Sequence, residues 1–178
     1  TATAQSIDIS KAVVMRGNDD SVVAKAVTVL VEEVEKRSAT KVTEAQAVPS
    51  GEAPAIVAVL AKDLAKLNGK LAGGLSIPDK SEACAIWHSG ANNAQIWIAG
   101  HDARGVMFGV GHLLRKLEMR PGRVILPTPL RYAGAPVDRI RGQQLGYRNA
   151  NNTWDAWDAK PFDQHIRELV TFGNNAIA

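Results

Sequence analysis

The 178-residue sequence has a single cysteine, Cys84, which excludes any disulfide within the chain. A free cysteine usually behaves as a small buried apolar residue, and we expect this of Cys84. Because the sequence has no Cys-x-x-Cys pair and no cluster of Cys and His, a structural zinc site is not expected. Nothing in the sequence indicates a metal or another cofactor.

The sequence also lacks long runs of one kind of residue. No stretch of Lys and Arg exceeds two, so the formal charge of +3 is dispersed. Nucleic-acid-binding proteins concentrate that charge on one face, and we expect no nucleic-acid partner here. No apolar stretch approaches the ~20 residues of a membrane span, so no membrane partner is expected either. With 46% hydrophobic residues, the chain has enough apolar surface for one domain or one domain plus a piece of another.

Glycines between residues 100 and 111 do not form a nucleotide-binding loop. The Walker pattern fails because Gly105 is followed by Val106, and the pair Gly109-x-Gly111 lacks the third glycine of the dinucleotide pattern. Gly105 and Gly109 instead lie four residues apart on one face of a predicted helix. Since glycine permits close backbone approach, this face is predicted to pack tightly against a sheet.

The periodicity of apolar residues predicts an α/β fold. Apolar runs typical of strands lie at 11–16, 42–47, 54–60, 83–88, 94–99 and 124–126. Helical spacing predicts helices at about 21–36 and 100–117, with a short one at 62–67. The runs at 83–88 and 94–99 are joined by a turn rich in Gly and Asn, which is typical of a hairpin. These elements predict a small mixed sheet covered by helices.

The character of the sequence changes after two proline-containing breaks, 127–129 and 134–136, which together predict a linker. Beyond them the pattern predicts, in order, a strand at 140–148, a loop, an amphipathic helix at 162–172 that Gly173 caps, and the start of a strand at 175–178. This order of strand, loop, helix and strand is one β/α unit. In a (β/α) barrel, the loop after each strand lies at the mouth of the active site.

The loop of this unit has the composition of a sugar-binding surface. Aromatic rings stack on the apolar faces of pyranoses, and Asn, Asp and Arg side chains hydrogen-bond to hydroxyl and carboxylate groups. The sequence therefore predicts a sugar site formed by Tyr147, Arg148, Asn152, Trp154, Asp155 and Trp157. The alternative is a solvated loop whose two tryptophans pack against neighbouring elements.

No catalytic group follows from the spacing of the residues. Glycoside hydrolysis ordinarily needs two carboxyl groups on opposite sides of the bond, and one short loop rarely places them so. Asp155 and Asp158 are therefore predicted to contact a ligand or to cap a helix. The four histidines are dispersed, and no Ser-His-Asp arrangement can be argued from their positions.

Two stretches of the sequence resemble a known group of enzymes. Residues 98–115, Ile-Ala-Gly-His-Asp-Ala-Arg-Gly-Val-Met-Phe-Gly-Val-Gly-His-Leu-Leu-Arg, resemble the last strand and helix of the non-catalytic α/β domain that precedes the barrel in β-N-acetylhexosaminidases and α-glucuronidases. Residues 136–142 and 145–148 resemble the first barrel strand of those enzymes, which has Pro, a few residues, Arg-Gly and an apolar strand. The resemblance implies an accessory domain over 1–135, like domain 2 of hexosaminidases, and the start of a catalytic (β/α)8 barrel over 136–178.

The resemblance implies the amino-terminal part of a glycoside hydrolase that acts on an oligo- or polysaccharide. It also implies that Arg141, at the position of the Arg-Gly pair, binds sugar hydroxyls. Gly146 stands near the position where hexosaminidases usually have Asp, which departs from their pattern. The catalytic acids of the group lie on later barrel strands, so none is assigned here and the chain alone is expected to be inactive.

The expected partners are a carbohydrate substrate and the remaining barrel of the same polypeptide. The small, polar start at 1–5 resembles the region around a signal-peptidase cut, which predicts a secreted or periplasmic protein, although a flexible terminus fits equally well. The alternative function is a non-catalytic carbohydrate-binding or structural module.

Overall fold

The computed structural model describes residues 5–46, 53–67, 70–71, 73, 75–90, 94–145 and 156–178. The strands within these ranges are β1 (Ser6–Asp8), β2 (Val13–Arg16), β3 (Thr43–Ala45), β4 (Ala55–Leu60), β5 (Cys84–Ser89), β6 (Gln95–Gly100), β7 (Glu118–Arg120), β8 (Arg123–Pro127), β9 (Arg131–Gly134), β10 (Gly142–Gln143) and β11 (Ala176–Ile177). The helices are α1 (Ser21–Ser38), α2 (Ala103–Lys116) and α3 (Ala159–Thr171), with a 3₁₀ helix at Ala61–Leu67.

A six-stranded mixed sheet in the order β3-β2-β4-β6-β5-β9 forms the centre of the molecule. The first four strands of that order are parallel, β5 pairs antiparallel with β6, and β9 pairs antiparallel with β5. Every residue of β4 is buried, as its continuous apolar sequence predicted for a strand covered on both faces. The predicted mixed α/β sheet is therefore confirmed.

The two faces of this sheet are covered differently. Helices α1 and α2 pack side by side on one face, where Ile56, Ile96 and Ile98 are fully buried. On the other face, Trp87 and Trp97 stack with ring centroids 6.0 Å apart, under Leu64 of the 3₁₀ helix and apolar residues that follow it. The α-helices of the described part of this domain thus lie on one face only.

The predicted hairpin is confirmed by the pairing of β5 with β6, which runs from Cys84 opposite Gly100 to Ser89 opposite Gln95. Strands β1, β7 and β9 have no counterpart among the predicted elements. β1 and β7 flank β8 in a separate antiparallel sheet of three strands. All three strands are only three or four residues long and largely exposed. None of them has the apolar run by which strands were predicted from the sequence.

The predicted linker is wrong in part, because β9 lies between its two proline breaks. β9 pairs with β5 at the edge of the six-stranded sheet, with Trp87 opposite Arg131 and Cys84 opposite Gly134. An edge strand needs partners on one side only, so it tolerates the polar sequence that looked like a loop. The chain leaves the sheet after Gly134.

Helix α2 begins as the sequence predicted and packs through its glycines. Asp102 is its N-cap, and its Oδ1 accepts a hydrogen bond from the Gly105 amide at 2.8 Å. A Cβ on Gly109 would lie 2.6 Å from Cγ2 of Ile98, and one on Gly105 would collide with the carbonyl oxygen of Ala83. The predicted close approach of this helix face to the sheet is confirmed.

The last described elements form a separate two-stranded sheet. β10 and β11 run parallel, with Gly142 opposite Ala176, and α3 connects them. The amide of Leu145 extends this ladder by donating to the carbonyl of Ala178 at 2.7 Å. The predicted strand at 140–148 is short in the described part, and its last three residues lie outside the described residues. Gly173 follows α3 with a φ of 93°, as expected of a helix-capping glycine.

None of the described helices has the length and apolar character that crossing a membrane requires.

We predict that Gly105→Ala lowers the free energy of unfolding by about 1–3 kcal/mol, because the new methyl group would meet the backbone of Ala83, which cannot rotate away. Urea denaturation of both proteins measures this difference. The matched control is Gly73→Ala, since a Cβ there has no neighbour within 4 Å, and its effect should stay within about 0.5 kcal/mol. Equal stability of the two variants would contradict the close helix–sheet contact.

We also predict that the Cys84 thiol reacts slowly in the folded protein. Cys84 is 5% exposed, and burial raises the pKa of its thiol to about 11, so few molecules carry the reactive thiolate at pH 8. Alkylation by iodoacetamide at that pH should be at least tenfold slower in the native protein than in urea. A native rate that matches the rate in urea would show that Cys84 is accessible.

Candidate functional site

The seven residues predicted to bind sugar fall into two groups. Arg141 and Trp157 lie within the described part of the chain. The other five lie outside the described residues: Tyr147, Arg148, Asn152, Trp154 and Asp155. The site can therefore be built from the elements that flank the loop and from the contacts of Arg141 and Trp157.

The parallel pairing of β10 and β11 sets the direction of the flanking elements. In the sequence, residues 146–155 come after β10, and Ala178 follows the carboxyl end of β11, where its carbonyl accepts from the Leu145 amide. Arg141 precedes β10 and so lies at the opposite, amino edge. Arg141 and Leu145, the last described residue before the loop, thus lie at opposite ends of this strand.

The guanidinium group of Arg141 is held by four neighbours. Its Nε donates to the carbonyl of Gly173 at 2.7 Å, its Nη1 to the carbonyl of Asp138 at 2.7 Å, and its Nη2 to Oε2 of Glu82 at 2.6 Å. Its Cζ also lies 5.2 Å from the ring centroid of Phe108. These contacts use three of its five N–H donors, and the predicted contact with a sugar hydroxyl stays a prediction.

Glu82 is the anion that Arg141 and Arg104 share, although no sequence pattern assigned it a role. Its carboxylate accepts a hydrogen bond from Nδ2 of Asn175, 3.1 Å from Oε1, and it forms an ion pair with Nη1 of Arg104 at 3.2 Å. Glu82 is only 6% exposed, and burial alone raises the pKa of a carboxyl group. Here the hydrogen bonds from Asn175 and Arg141, with the charges of Arg141 and Arg104, outweigh burial and lower the pKa of Glu82.

No local pattern could have identified Glu82. Its partners Arg141 and Asn175 are 59 and 93 residues further along the chain, so neither helical nor strand spacing relates them. Its backbone adopts a left-handed conformation with φ of 66°, which a glutamate rarely adopts and which the sequence does not signal.

Trp157 packs against the first turns of α3. Its ring meets that of Phe162 edge to face, with centroids 5.4 Å apart, and that of His165 at 5.6 Å. This arrangement matches the alternative considered for the loop, in which a tryptophan packs against a neighbouring element. The predicted contact between Trp157 and sugar stays a prediction.

Asp158 caps helix α3. It is the N-cap residue, and its Oδ1 accepts a hydrogen bond from the Lys160 amide at 3.0 Å. This is one of the two roles that the sequence predicted for the pair of aspartates, and Asp155 lies outside the described residues. The cap places the end of the loop directly at the start of α3, because the helix begins one residue after Asp158.

A cavity of about 200 Å³ lies where the last two strands meet the larger sheet. Arg115 and Arg141 line it together with the stacked rings of His112 and Tyr132, whose centroids are 4.0 Å apart. Burial, with the charges of Arg115 and Lys116, lowers the pKa of His112 and favours its neutral form.

The cavity does not have the groups that glycoside hydrolysis needs. Of the described residues that line it, Glu82 alone carries a carboxyl group, and two guanidinium groups already pair with that carboxylate. Hydrolysis ordinarily requires a second carboxyl group across the bond. Among the described residues, no group of three or more His, Cys, Asp and Glu side chains could hold a metal ion. The described side chains at this junction instead form hydrogen bonds and an ion pair that connect Glu82 with Arg141 and Asn175.

No protein-family model and no curated protein matches the chain. Solved structures match its fold along nearly its whole length. The exo-β-N-acetylglucosaminidase of family GH20 from Vibrio harveyi superimposes with a TM-score of 0.64 at 15% identity, covering 99% of this chain and 23% of that enzyme. The β-hexosaminidase from Streptomyces plicatus gives 0.61 at 15% identity, covering 98% and 31%.

An enzyme of another family is similar to the same extent. A family GH115 4-O-methyl-α-glucuronidase with specificity for decorated arabinogalactans superimposes with a TM-score of 0.63 at 14% identity, covering 97% of this chain and 25% of that enzyme. The chain thus spans about a quarter of the length of the structures it matches. At these identities the comparisons show the fold, and they confirm that the chain resembles glycoside hydrolases of the β-N-acetylhexosaminidase and α-glucuronidase groups.

Proposed function

We propose that this chain is the amino-terminal part of a glycoside hydrolase, with an accessory α/β domain over 1–135 and the start of a catalytic (β/α)8 barrel over 136–178. The observation that carries the proposal is the separate parallel pair of β10 and β11, connected by α3, that follows a complete mixed sheet. The fold shared with glycoside hydrolases along nearly the whole chain supports the same conclusion.

The surface of the second unit supports a continuing barrel. A sheet of two strands is marginal by itself, and parallel sheets ordinarily have both faces covered. Large apolar side chains are nevertheless exposed in this unit: Val137 is 89% exposed, Ile140 75%, Phe172 69% and Ile177 41%. Further strands and helices packed beside β10 and β11 would cover such a surface.

The proposed sugar site is the loop between β10 and α3, which would lie at the mouth of the barrel. Tyr147, Trp154 and Trp157 would supply aromatic surface, and Arg148, Asn152 and Asp155 would bind hydroxyl or carboxylate groups. Arg141 would contribute its remaining N–H donors from the amino edge of the same strand. The substrate would be an oligo- or polysaccharide, and the protein would act in a secreted or periplasmic location.

The catalytic carboxyl groups of such an enzyme would lie on later barrel strands, beyond residue 178. The described contacts of Glu82 support this, because its carboxylate is buried among cations rather than open to a substrate. The chain by itself should therefore hydrolyse no glycoside. Release of p-nitrophenol from p-nitrophenyl glycosides by the 178-residue protein would contradict this.

A non-catalytic role is the second candidate, and the contact of α2 with α3 favours it for residues 1–135. A Cβ on Gly111 of α2 would collide with the backbone of Thr171, and Arg115 donates to the carbonyl of that threonine. Such close packing fits a domain that braces the unit after it. Bracing is compatible with the hydrolase proposal, whereas a free-standing carbohydrate-binding module would need no further strands.

We predict that Trp154→Ala removes most of the sugar-dependent quenching of tryptophan fluorescence, because Trp154 would stack on the pyranose. The measurement is a titration of the 178-residue protein with N-acetylglucosamine and with glucuronic acid. Trp97→Phe is the control, since Trp97 is buried against Trp87 in the core of the six-stranded sheet and its replacement should change sugar-dependent quenching by less than half. The absence of saturable quenching by either sugar in the unmutated protein would count against a sugar site in this loop.

A further inference from the structure

We propose that Glu82, in the accessory domain, is the positioning residue that sets the amino ends of β10 and β11 and orients Arg141. The inference deepens the proposed function and rests on it only where it assigns Arg141 to sugar binding. The geometric part, a carboxylate of one domain that fixes two strands of the next, stands on the contacts alone.

One carboxylate binds a residue at the start of each strand. Arg141 immediately precedes β10, and its Nη2 lies 2.6 Å from Oε2 of Glu82. Asn175 immediately precedes β11, and its Nδ2 lies 3.1 Å from Oε1 and 3.3 Å from Oε2. Both donors can reach the same carboxylate only when the two strands begin side by side, which is the register in which Gly142 lies opposite Ala176.

Arg141 and Asn175 are also bonded to each other. The Arg141 amide donates to Oδ1 of Asn175 at 2.9 Å, and the amides of Asn175 and Ala176 donate to the carbonyl of Arg141 at 2.7 and 3.1 Å. Glu82 thus completes a closed set of hydrogen bonds around the two strand starts. Loss of its charge would weaken one contact of each side chain at once, while Arg141 keeps its bonds to Gly173 and Asp138 and Asn175 keeps its bond to the carbonyl of Arg139.

The carboxylate is held on a rigid support. The Glu82 amide donates to Oδ2 of Asp102 at 2.9 Å, and the same aspartate caps helix α2 through the Gly105 amide. The backbone at Glu82 is left-handed, and β5 begins two residues later at Cys84. A positioning residue works only when its own place is determined by packing and hydrogen bonds, as here.

Glu82 also forms an ion pair within the accessory domain, with Arg104, and this pair can be compared with the one that Glu82 forms with Arg141. Arg104 of α2 pairs with Glu82 at 3.2 Å and is 59% exposed, whereas Arg141 is 20% exposed and bonded at 2.6 Å. Since exposed ion pairs contribute little, the contact that matters for the fold is the one that crosses to the second unit. Arg104→Gln should therefore have a much smaller effect than Arg141→Gln.

The test is amide hydrogen exchange of the full 178-residue protein carrying Glu82→Gln, measured by NMR. The informative amides are those of Leu145, Asn175, Ala176 and Ala178, which donate within or beside the parallel pair. We expect their protection to fall by about tenfold, while amides that join β4 to β6 keep theirs, because local opening is independent of global unfolding.

Matched variants make the result decisive. Asp63→Asn also removes a buried carboxylate with an ion pair, to Lys66 at 2.6 Å, but its partners all lie before residue 136, and it should leave the four amides unchanged. Arg141→Gln should reproduce the local loss, and the double variant with Glu82→Gln should add little to it. Arg141→Gln alone serves the same purpose if Glu82→Gln does not fold.

Two outcomes would overturn the proposal. An equal fall in protection over β4, β6, β10 and β11 would show that Glu82 contributes only to overall stability, and unchanged protection of the four amides would show that it does not fix the strand starts. Sugar titration of the same variant keeps the two proposals apart. Absence of quenching in the unmutated protein would defeat the sugar site but not the exchange result, whereas quenching weakened by Glu82→Gln and not by Asp63→Asn would connect them.

Discussion

The arrangement of the second unit depends on a buried carboxylate, that of Glu82, surrounded by donors from both parts of the chain. Removing the partners of a buried charge is destabilising, because the remaining charge is left without compensation. Here the compensation comes from Arg141 and Asn175 of the second unit and from Arg104 of α2. Since the pKa of Glu82 is lowered in the folded protein, its ionised form stabilises the fold above the ordinary carboxyl pKa, and this contribution is lost as the pH falls through the folded value.

Close packing of α2 against α3, with arginine side chains over aromatic rings, stabilises the same junction. The backbone of Thr171 lies so close to α2 that only glycine fits at position 111. Phe172 is stacked below Arg115, whose Cζ lies 5.0 Å from the ring centroid, and Arg141 lies over Phe108 in the same manner. Each arginine therefore makes a directional bond to a carbonyl or carboxylate and also covers an aromatic ring. A two-stranded sheet that would be marginal alone gains its support from α3, which is packed on the larger domain.

The sequence predicted the elements with long apolar runs and missed three of the short strands at sheet edges, β1, β7 and β9. Strand β4 is apolar throughout, and β6 has the apolar core Ile96-Trp97-Ile98. Such runs are stable as strands inside a covered sheet, so the local sequence pattern was enough to predict both strands. Strand β9, with Arg131 and Tyr132 exposed, is held by hydrogen bonds to β5 that no periodicity records. Glu82 was missed for the same reason, because its partners are distant in sequence and its importance arises from the tertiary fold. Of the predicted sugar-binding residues, only Arg141 and Trp157 lie in the described part, and each contacts protein neighbours there.

The two edges of the parallel pair differ in a way that bears on the proposed function. At the amino edge, Arg141, Asn175 and Gly173 are bonded to one another or to Glu82 of the larger domain. The carboxyl edge leads into the loop at 146–155, which the proposed function assigns to sugar. In (β/α) folds, residues at the amino ends of strands serve stability and those at the carboxyl ends serve ligands. The contacts with Glu82 use side chains at the amino edge, so these contacts and the proposed sugar site lie at opposite ends of one short strand. If Arg141 also reaches sugar, it does so from a guanidinium group that Glu82, Gly173 and Asp138 already hold.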